Sequence, residues 1–129
     1  MEFPEHRDMD LTMLTSMGVE ALRFDAGQHI IEQGSSGEEM FVLRSGRAAI
    51  VINGATIEEI GAGGFFGEMG LVDGAPRSAT VVALEPCEVV PVAERSFLFL
   101  VHETPYFALD VMRTMAARVR RMNEKLLTV

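Results

Sequence analysis

The amino-acid sequence predicts a mainly β fold, a sandwich or barrel, with flanking α-helices. Between Ala21 and Val92, short apolar runs alternate with turns rich in glycine, a pattern typical of folds built from many short strands. After Val92 the apolar residues recur with a period of about 3.6, which indicates helices that pack against a core. The chain has 129 residues and a hydrophobic content of 48%, enough for one domain with a proper core.

Seven apolar runs are the predicted strands, and an eighth strand is compatible with the spacing. The turn Asn53-Gly54 separates two of the runs and is the strongest short-range signal for a two-residue β-hairpin. The seven runs are Ala21–Phe24, His29–Glu32, Met40–Arg44, Ala48–Ile52, Thr56–Ile60, Ser78–Leu84 and Cys87–Val92.

Two helices are predicted after the strands. The first is a short amphipathic segment from Glu94 to Glu103. Thr104 then supplies an N-cap residue and Pro105 a proline at the first helical position, so the second helix starts there and continues to about Leu127. Its apolar stripe, at spacings of three and four, consists of Phe107, Val111, Met115, Val119, Met122 and Leu126.

The chain is predicted to divide into an N-terminal helical segment, residues 1–20, and one domain, residues 21–129. The domain comprises the β region, about 21–92, and the helices, about 94–127. The helical prediction for the N-terminal segment depends on a weak apolar stripe between Asp8 and Met17.

Composition excludes several classes of function. A net charge of −8 argues against a broad surface for nucleic acid or anionic membrane. The single cysteine, Cys87, excludes a disulfide framework or a multi-cysteine metal site within one chain. The histidines His6, His29 and His102 are far apart and have no clustered acids, so we expect no metal site. No signal peptide or membrane helix is evident, and we expect a cytoplasmic protein outside the membrane.

The stretch from Phe66 to Thr80 carries the functional prediction. Gly67 and Glu68 open a short helix start, whose free backbone N–H groups suit an anion. After a turn, Arg77 offers a planar fork of donors that can hold two oxygens of that anion. Because the Glu68 carboxylate would repel a phosphate, it needs another partner nearby, and a pair of sugar hydroxyls would suit it. The pattern therefore indicates a phosphate attached to a ribose.

This stretch resembles the phosphate-binding cassette of cyclic nucleotide-binding domains. The family pattern is Phe-Gly-Glu, an apolar residue, a small residue, Leu, a short variable turn, then Pro-Arg, a small residue, Ala and Ser or Thr. Gly27–Gly34 and Met40–Gly46 also resemble elements of that family's barrel, with their glycines at turns that need positive φ. The matching cassette residues are Phe66, Gly67, Glu68, Gly70, Leu71, Pro76, Arg77, Ala79 and Thr80.

The resemblance implies an eight-stranded jelly-roll-like β-roll (a double-stranded β-helix) that binds a 3′,5′-cyclic nucleotide, acts as a regulatory sensor and is not an enzyme. It implies that Glu68 binds the ribose 2′-hydroxyl and that Arg77, aided by Ser78, binds the cyclic phosphate. The small Ser78 after Arg77 favours cyclic AMP over cyclic GMP. Phe66, Leu71 and Val81 would wall the pocket. The ligand-binding residues are predicted to be Phe66, Gly67, Glu68, Met69, Arg77, Ser78, Ala79, Thr80 and Arg118.

The last helix allows two interpretations. By its position after Pro105, Arg118 matches a base-capping arginine of bacterial cyclic-nucleotide-gated channel domains, which makes the helix a lid over the ligand. The alternative is a homodimer through the apolar end of the helix, at Met122, Leu126 and Leu127, which would project beyond the barrel. The basic residues near this end could also be simply solvated.

Two rival functions remain open on the residues alone. One is an interaction module for an unknown protein partner, which retains the cassette without using it. The other is an enzyme on a cupin-like barrel. The transcription factors of this family carry a helix-turn-helix after the last helix, and we expect none here because the sequence ends at Val129. The expected product is therefore a free-standing sensor.

Overall fold

Two four-stranded antiparallel sheets form the body of the protein. The computed structural model describes Leu14 and residues 18–127, with side chains up to Glu124. The strands are β1 Leu22–Phe24, β2 His29–Ile31, β3 Met40–Ser45, β4 Ala48–Ile52, β5 Ala55–Ile60, β6 Phe65–Phe66, β7 Thr80–Ala83 and β8 Cys87–Val92. The strand order is β1-β8-β3-β6 in the first sheet and β2-β7-β4-β5 in the second. The predicted mainly β fold is confirmed, and the jelly-roll description agrees with this arrangement.

Three helices accompany the sheets in the described part of the chain. They are α1 Glu68–Asp73, α2 Glu94–Glu103 and α3 Pro105–Leu127. Proline is at the first position of α3 as predicted. Thr104 directly precedes α3, and its hydroxyl donates a hydrogen bond to the Leu100 carbonyl of α2 at 2.7 Å. Thr104 thereby closes α2 before α3 begins.

Apolar side chains form two cores, one on each side of the first sheet. Alternate residues of β3 point in opposite directions, as the pleat of a strand requires. Phe41 and Leu43 pack between the two sheets, and Met40 and Val42 pack under α2 and α3. Because both faces of β3 are covered over its first four residues, these form an unbroken apolar run rather than an alternation; Arg44 and Ser45 at its end are exposed.

The predicted hairpin and glycine turns are present. Asn53 and Gly54, with φ of 49° and 82°, join β4 to β5 in the left-handed conformation that a type I′ turn needs. Gly27, Gly34 and Gly46 also have positive φ, at 87°, 85° and 93°. The Asn53-Gly54 turn thereby places β5 beside β4, and β7 pairs with the other edge of β4.

The N-terminal helical segment predicted within residues 1–20 lies outside the described residues, apart from Leu14 and residues 18–20. Leu14 is helical and fully buried in the core under α2 and α3. The division of the chain into residues 1–20 and 21–129 stays a prediction.

Candidate functional site

A cavity of about 560 Å³ lies between the second sheet, the stretch from Phe66 to Val81 and α3. Its volume is in the usual range of small-molecule sites. Much of its wall is apolar, formed by Ile31, Ile50, Ile52, Ile57, Phe66, Val81, Met115, Val119 and Met122. Its charged lining residues are Glu58, Glu68, Asp73, Arg77, Arg118, Arg121 and Glu124. The cavity can therefore accept a ligand with one apolar part and one polar, charged part.

Arg77 lies at the base of this cavity with only 8% of its surface exposed. Its Nη1 donates to the Gly67 carbonyl at 3.0 Å and its Nη2 to the Glu39 carbonyl at 2.7 Å. Within the described part of the chain, its guanidinium thus donates to neutral carbonyls and to no carboxylate. Burial lowers the pKa of Arg77, while the negative charges of Glu39 and Glu68 oppose that shift. The result is a buried cation with room for an anionic partner.

The main chain fixes where Arg77 lies. Its N–H donates to the Ser35 carbonyl and its own carbonyl accepts from the Gly34 N–H, both at 2.8 Å. The turn before it is held by Asp73, whose carboxylate accepts from the Ala75 N–H at 2.9 Å. These contacts hold the loops on either side of the arginine, so the side chain enters the cavity from a fixed backbone.

Two glycines make space for the guanidinium. A Cβ on Gly70 would be 2.7 Å from Nη1 of Arg77 and 2.5 Å from the Gly37 carbonyl oxygen. A Cβ on Gly37 would be 2.6 Å from Nη2 of the same arginine. The small residue required in the sequence motif at position 70 therefore has a steric cause, and Gly37 has the same role from another loop.

Glu68 is the first residue of α1 and is 5% exposed. The residue before it, Gly67, has φ of 80°, a conformation that L side chains rarely adopt. This turn directs the Glu68 carboxylate to α3, where its Oε1 accepts a hydrogen bond from Nη1 of Arg118 at 2.7 Å. In the structure, this carboxylate is therefore paired with a cation of the last helix.

Arg118 is shared among several groups of the β-roll. Besides Glu68, its Nη2 donates to the Phe65 carbonyl at 2.7 Å, and its Nε lies 3.2 Å from Oε1 of Glu58. Its guanidinium carbon lies 5.5 Å from the centre of the Phe65 ring. Arg121, one turn further along α3, donates to the same Glu58 oxygen at 3.0 Å. The middle of α3 is thus attached to the β-roll by charged groups.

The apolar stripe of α3 changes its surroundings along the helix. Phe107 and Val111 are buried in the core under the first sheet, and Met115 is partly buried beside it. Met115, Val119 and Met122 line the cavity, and the last two are more than half exposed. The distal stripe is consequently available to a ligand in the cavity.

Eight of the nine predicted ligand residues line this one cavity. They are Phe66, Gly67, Glu68, Met69, Arg77, Ser78, Ala79 and Arg118. Thr80 is not among the lining residues; its Oγ1 accepts a hydrogen bond from the Gln33 N–H at 3.0 Å. Of the predicted pocket walls, Phe66 and Val81 line the cavity, whereas Leu71 packs against the core under the helices.

Glu58 and Gly37 were not predicted from the sequence. For Glu58 a signal existed: on a strand, residues two apart share a face, so Glu58 lies on the same face as the buried Ile60. A carboxylate on an inward face needs a partner, which here is Arg118. Nothing local distinguishes Gly37 from the glycines of ordinary turns.

Within the described residues, no group of histidines, cysteines and acids could hold a metal ion. Across the same residues, no helix is both long and apolar enough for a membrane span.

The family model of the cyclic nucleotide-binding domain matches residues 21–104, more than half of the chain. The chain belongs to the cyclic nucleotide-binding domain family. The sequence resemblance stated above is thereby confirmed, and the family is a binding and regulatory one rather than a catalytic one.

Individual members of the family show how much is shared. A cAMP-dependent protein kinase regulatory subunit of Yarrowia lipolytica is 41% identical over 63 residues, 49% of this chain and 17% of that protein. A cGMP-dependent protein kinase of Eimeria tenella is 36% identical over 69 residues, 54% of this chain and 7% of that protein. The crystal structure of Thermus thermophilus catabolite activator protein superposes with a TM-score of 0.76 at 28% identity, covering 89% of this chain and 56% of that one. The chain therefore spans a small part of these two kinase proteins.

Proposed function

We propose that the chain binds a 3′,5′-cyclic nucleotide in the cavity and that cyclic AMP is preferred. The observation that carries this proposal is Arg77, a buried cation that lines the cavity. Among the described residues, its guanidinium donates hydrogen bonds to two neutral carbonyls and to no carboxylate. A buried cation is costly unless an anion compensates it, and a cyclic phosphate supplies one negative charge and two free oxygens. Membership of the family supports the same ligand.

In this proposal the phosphate binds Arg77, with Ser78 and Ala79 beside it. The ribose 2′-hydroxyl donates to Glu68, a neighbour of the arginine in the same cavity. The nucleobase would contact the apolar wall of the cavity, which includes Ile50, Ile52 and Met122. A charged sugar phosphate with a flat, largely apolar base matches the division of the cavity into a charged and an apolar part.

The choice of base rests on Ser78, which follows Arg77. In the resembled family a threonine at this position favours guanine and a smaller residue favours adenine, so we propose cyclic AMP. The relatives include both a cAMP-dependent and a cGMP-dependent kinase protein and therefore do not separate the two ligands. A competition titration tests the proposal, and stronger binding of cyclic GMP would contradict it.

A second candidate function is an interaction module that does not use the pocket. It is favoured by one contact, because Arg118 already occupies the Glu68 carboxylate that the ribose needs. Isothermal titration calorimetry of the unmodified chain with cyclic AMP and cyclic GMP separates the candidates. Saturable binding of either ligand supports the first function, and no binding of both supports the second.

We further propose that the chain has a regulatory, non-catalytic role in the cytoplasm and that it acts on a protein partner. Incubation of the chain with cyclic AMP should yield no hydrolysed nucleotide. Formation of the 5′-monophosphate at a rate that follows protein concentration would contradict this part of the proposal.

A further inference from the structure

Glu58 is a cavity residue with no role in the proposed contacts to the nucleotide. It lies on β5, its side chain is 15% exposed, and its carboxylate is one side of an ion-pair cluster with two arginines of α3. Oε1 accepts from Nε of Arg118 at 3.2 Å and from Nη2 of Arg121 at 3.0 Å. Oε2 lies 3.4 Å from both Nε and Nη2 of Arg118. One β-strand carboxylate therefore binds two successive turns of the helix.

The contacts of Arg118 divide between two carboxylates. Its Nη1 is the donor to Glu68, whereas its Nε and Nη2 face Glu58 and Nη2 also donates to the Phe65 carbonyl. A ligand hydroxyl on Glu68 would compete with the Nη1 contact alone. The contacts of Nε and Nη2, together with the whole of Arg121, would be unaffected.

We propose that Glu58 is the positioning residue that keeps α3 over the cavity. When a nucleotide binds, its ribose hydroxyl would replace Arg118 as the partner of Glu68. Glu58 would keep its contacts with Arg118 and Arg121, so α3 would stay over the cavity and slow dissociation of the ligand. The ligand half of this inference rests on the proposed function; the attachment of α3 does not. Arg118 and Arg121 each carry one positive charge, so a single carboxylate between them is electrostatically favoured in the partly buried site.

The first experiment uses the unliganded chain and Glu58→Gln, which keeps the size of the side chain and removes its charge. Glu59→Gln is the matched control, because Glu59 is the next residue of β5 and pairs with Arg47 on the exposed surface. Hydrogen exchange of the α3 amides around residues 114–122 is measured for both. We expect about tenfold faster exchange in Glu58→Gln, because this variant loses the charge-assisted hydrogen bonds that join this part of α3 to β5. Equal exchange in the two variants would overturn the inference, whether or not any nucleotide binds.

The second experiment measures association and dissociation rates of cyclic AMP and cyclic GMP by stopped flow. If Glu58 holds α3 over bound ligand, Glu58→Gln raises the dissociation rate about tenfold relative to Glu59→Gln. The alternative is that Glu58 only holds Arg118 in place on Glu68, where Arg118 competes with the ligand. In that case Glu58→Gln lets Arg118 move away from Glu68, so the association rate rises and the dissociation rate stays the same. That second pattern would overturn the inference. Absence of binding in the wild-type chain would reject the proposed function and leave the exchange experiment to decide the role of Glu58.

A melting temperature for each variant separates local loosening from loss of fold. Glu58→Asp provides a further check, because it keeps the charge with a shorter side chain. It should restore part of the slow exchange and slow dissociation that Glu58→Gln loses. A Glu58→Asp variant that behaves like Glu58→Gln in both measurements, while melting like wild type, would contradict a role for the charge.

Discussion

The carbonyl oxygen of Gly67 accepts a hydrogen bond from Nη1 of Arg77 at 3.0 Å. The first glycine of the motif and its arginine are therefore joined directly by a hydrogen bond. A side chain as long as arginine loses considerable rotamer freedom when it is ordered. Because hydrogen bonds to the protein's own carbonyls order the guanidinium, binding of a phosphate to it would cost less of that freedom.

Replacement of Arg77 by alanine should weaken cyclic AMP binding by roughly 3–5 kcal/mol, because the phosphate would be buried without its cation. The unliganded fold should change little, since removal of a buried cation also removes its desolvation cost. Calorimetry measures the affinity and thermal unfolding the stability. Arg47→Ala, which alters an exposed arginine paired with Glu59, is the control. An affinity within a few-fold of wild type would remove Arg77 from the site.

A 2′-deoxy cyclic nucleotide should bind about tenfold more weakly than its parent, because it cannot donate to the Glu68 carboxylate. In the variant Glu68→Gln the difference between the two ligands should shrink, since the charge-assisted contact is then absent for both. The four affinities form a double-mutant cycle. If the two ligands bind wild type equally, Glu68 is not the ribose contact.

Gly70→Ala should destabilise the fold by about 1–3 kcal/mol, because its Cβ would overlap the space of the Gly37 carbonyl and of Arg77. It should also weaken nucleotide binding by displacing the guanidinium. Gly61→Ala is the control, as a Cβ there meets nothing within 4 Å and Gly61 is not among the positive-φ residues. Urea unfolding measures the first effect. If Gly70→Ala is as stable as Gly61→Ala, the Gly37 carbonyl and the Arg77 side chain can move aside without loss of unfolding free energy, and the steric explanation is wrong.

Deletion of residues 118–129 distinguishes the two interpretations of α3. If the helix covers the ligand, the truncated chain stays monomeric and releases nucleotide faster, because the cavity-lining Val119 and Met122 and the contacts of Arg118 are gone. If the helix forms a homodimer, the intact chain has a mass near twice 14.1 kDa in light scattering and the deletion halves it. A monomeric intact chain whose dissociation rate is unchanged by the deletion would exclude both.

The sequence predicted the repeated local elements well. All seven predicted strands and both predicted C-terminal helices are present, with strand ends that differ by at most two residues. These elements are encoded in short patterns, namely alternation, turn residues and helical stripes. The strand Phe65–Phe66 was missed because two residues are too short to show a period.

The sequence predicted those residues of the candidate site that belong to one contiguous motif. Glu68 and Arg77 are nine positions apart and belong to one recognisable pattern, whereas Arg118 was assigned to the base on its position alone. In the structure its partners are Glu58 and Glu68, and the pairing of residue 58 with residue 118 leaves no local trace in the sequence. Contacts between distant elements depend on the fold, which is why they required coordinates.

The pairing of the outermost strands has a consequence for synthesis of the chain. Leu22 of β1 is opposite Val89 of β8, and His29 of β2 is opposite Val82 of β7. Neither early strand has its neighbour until the last strands have left the ribosome. Such distant pairings slow folding, because the intervening chain must be closed into a loop before the contacts form. A nascent chain that is arrested between Thr80 and Cys87 therefore has its cassette translated but lacks β8, so the β-roll is not closed and the chain remains exposed to chaperones and proteases.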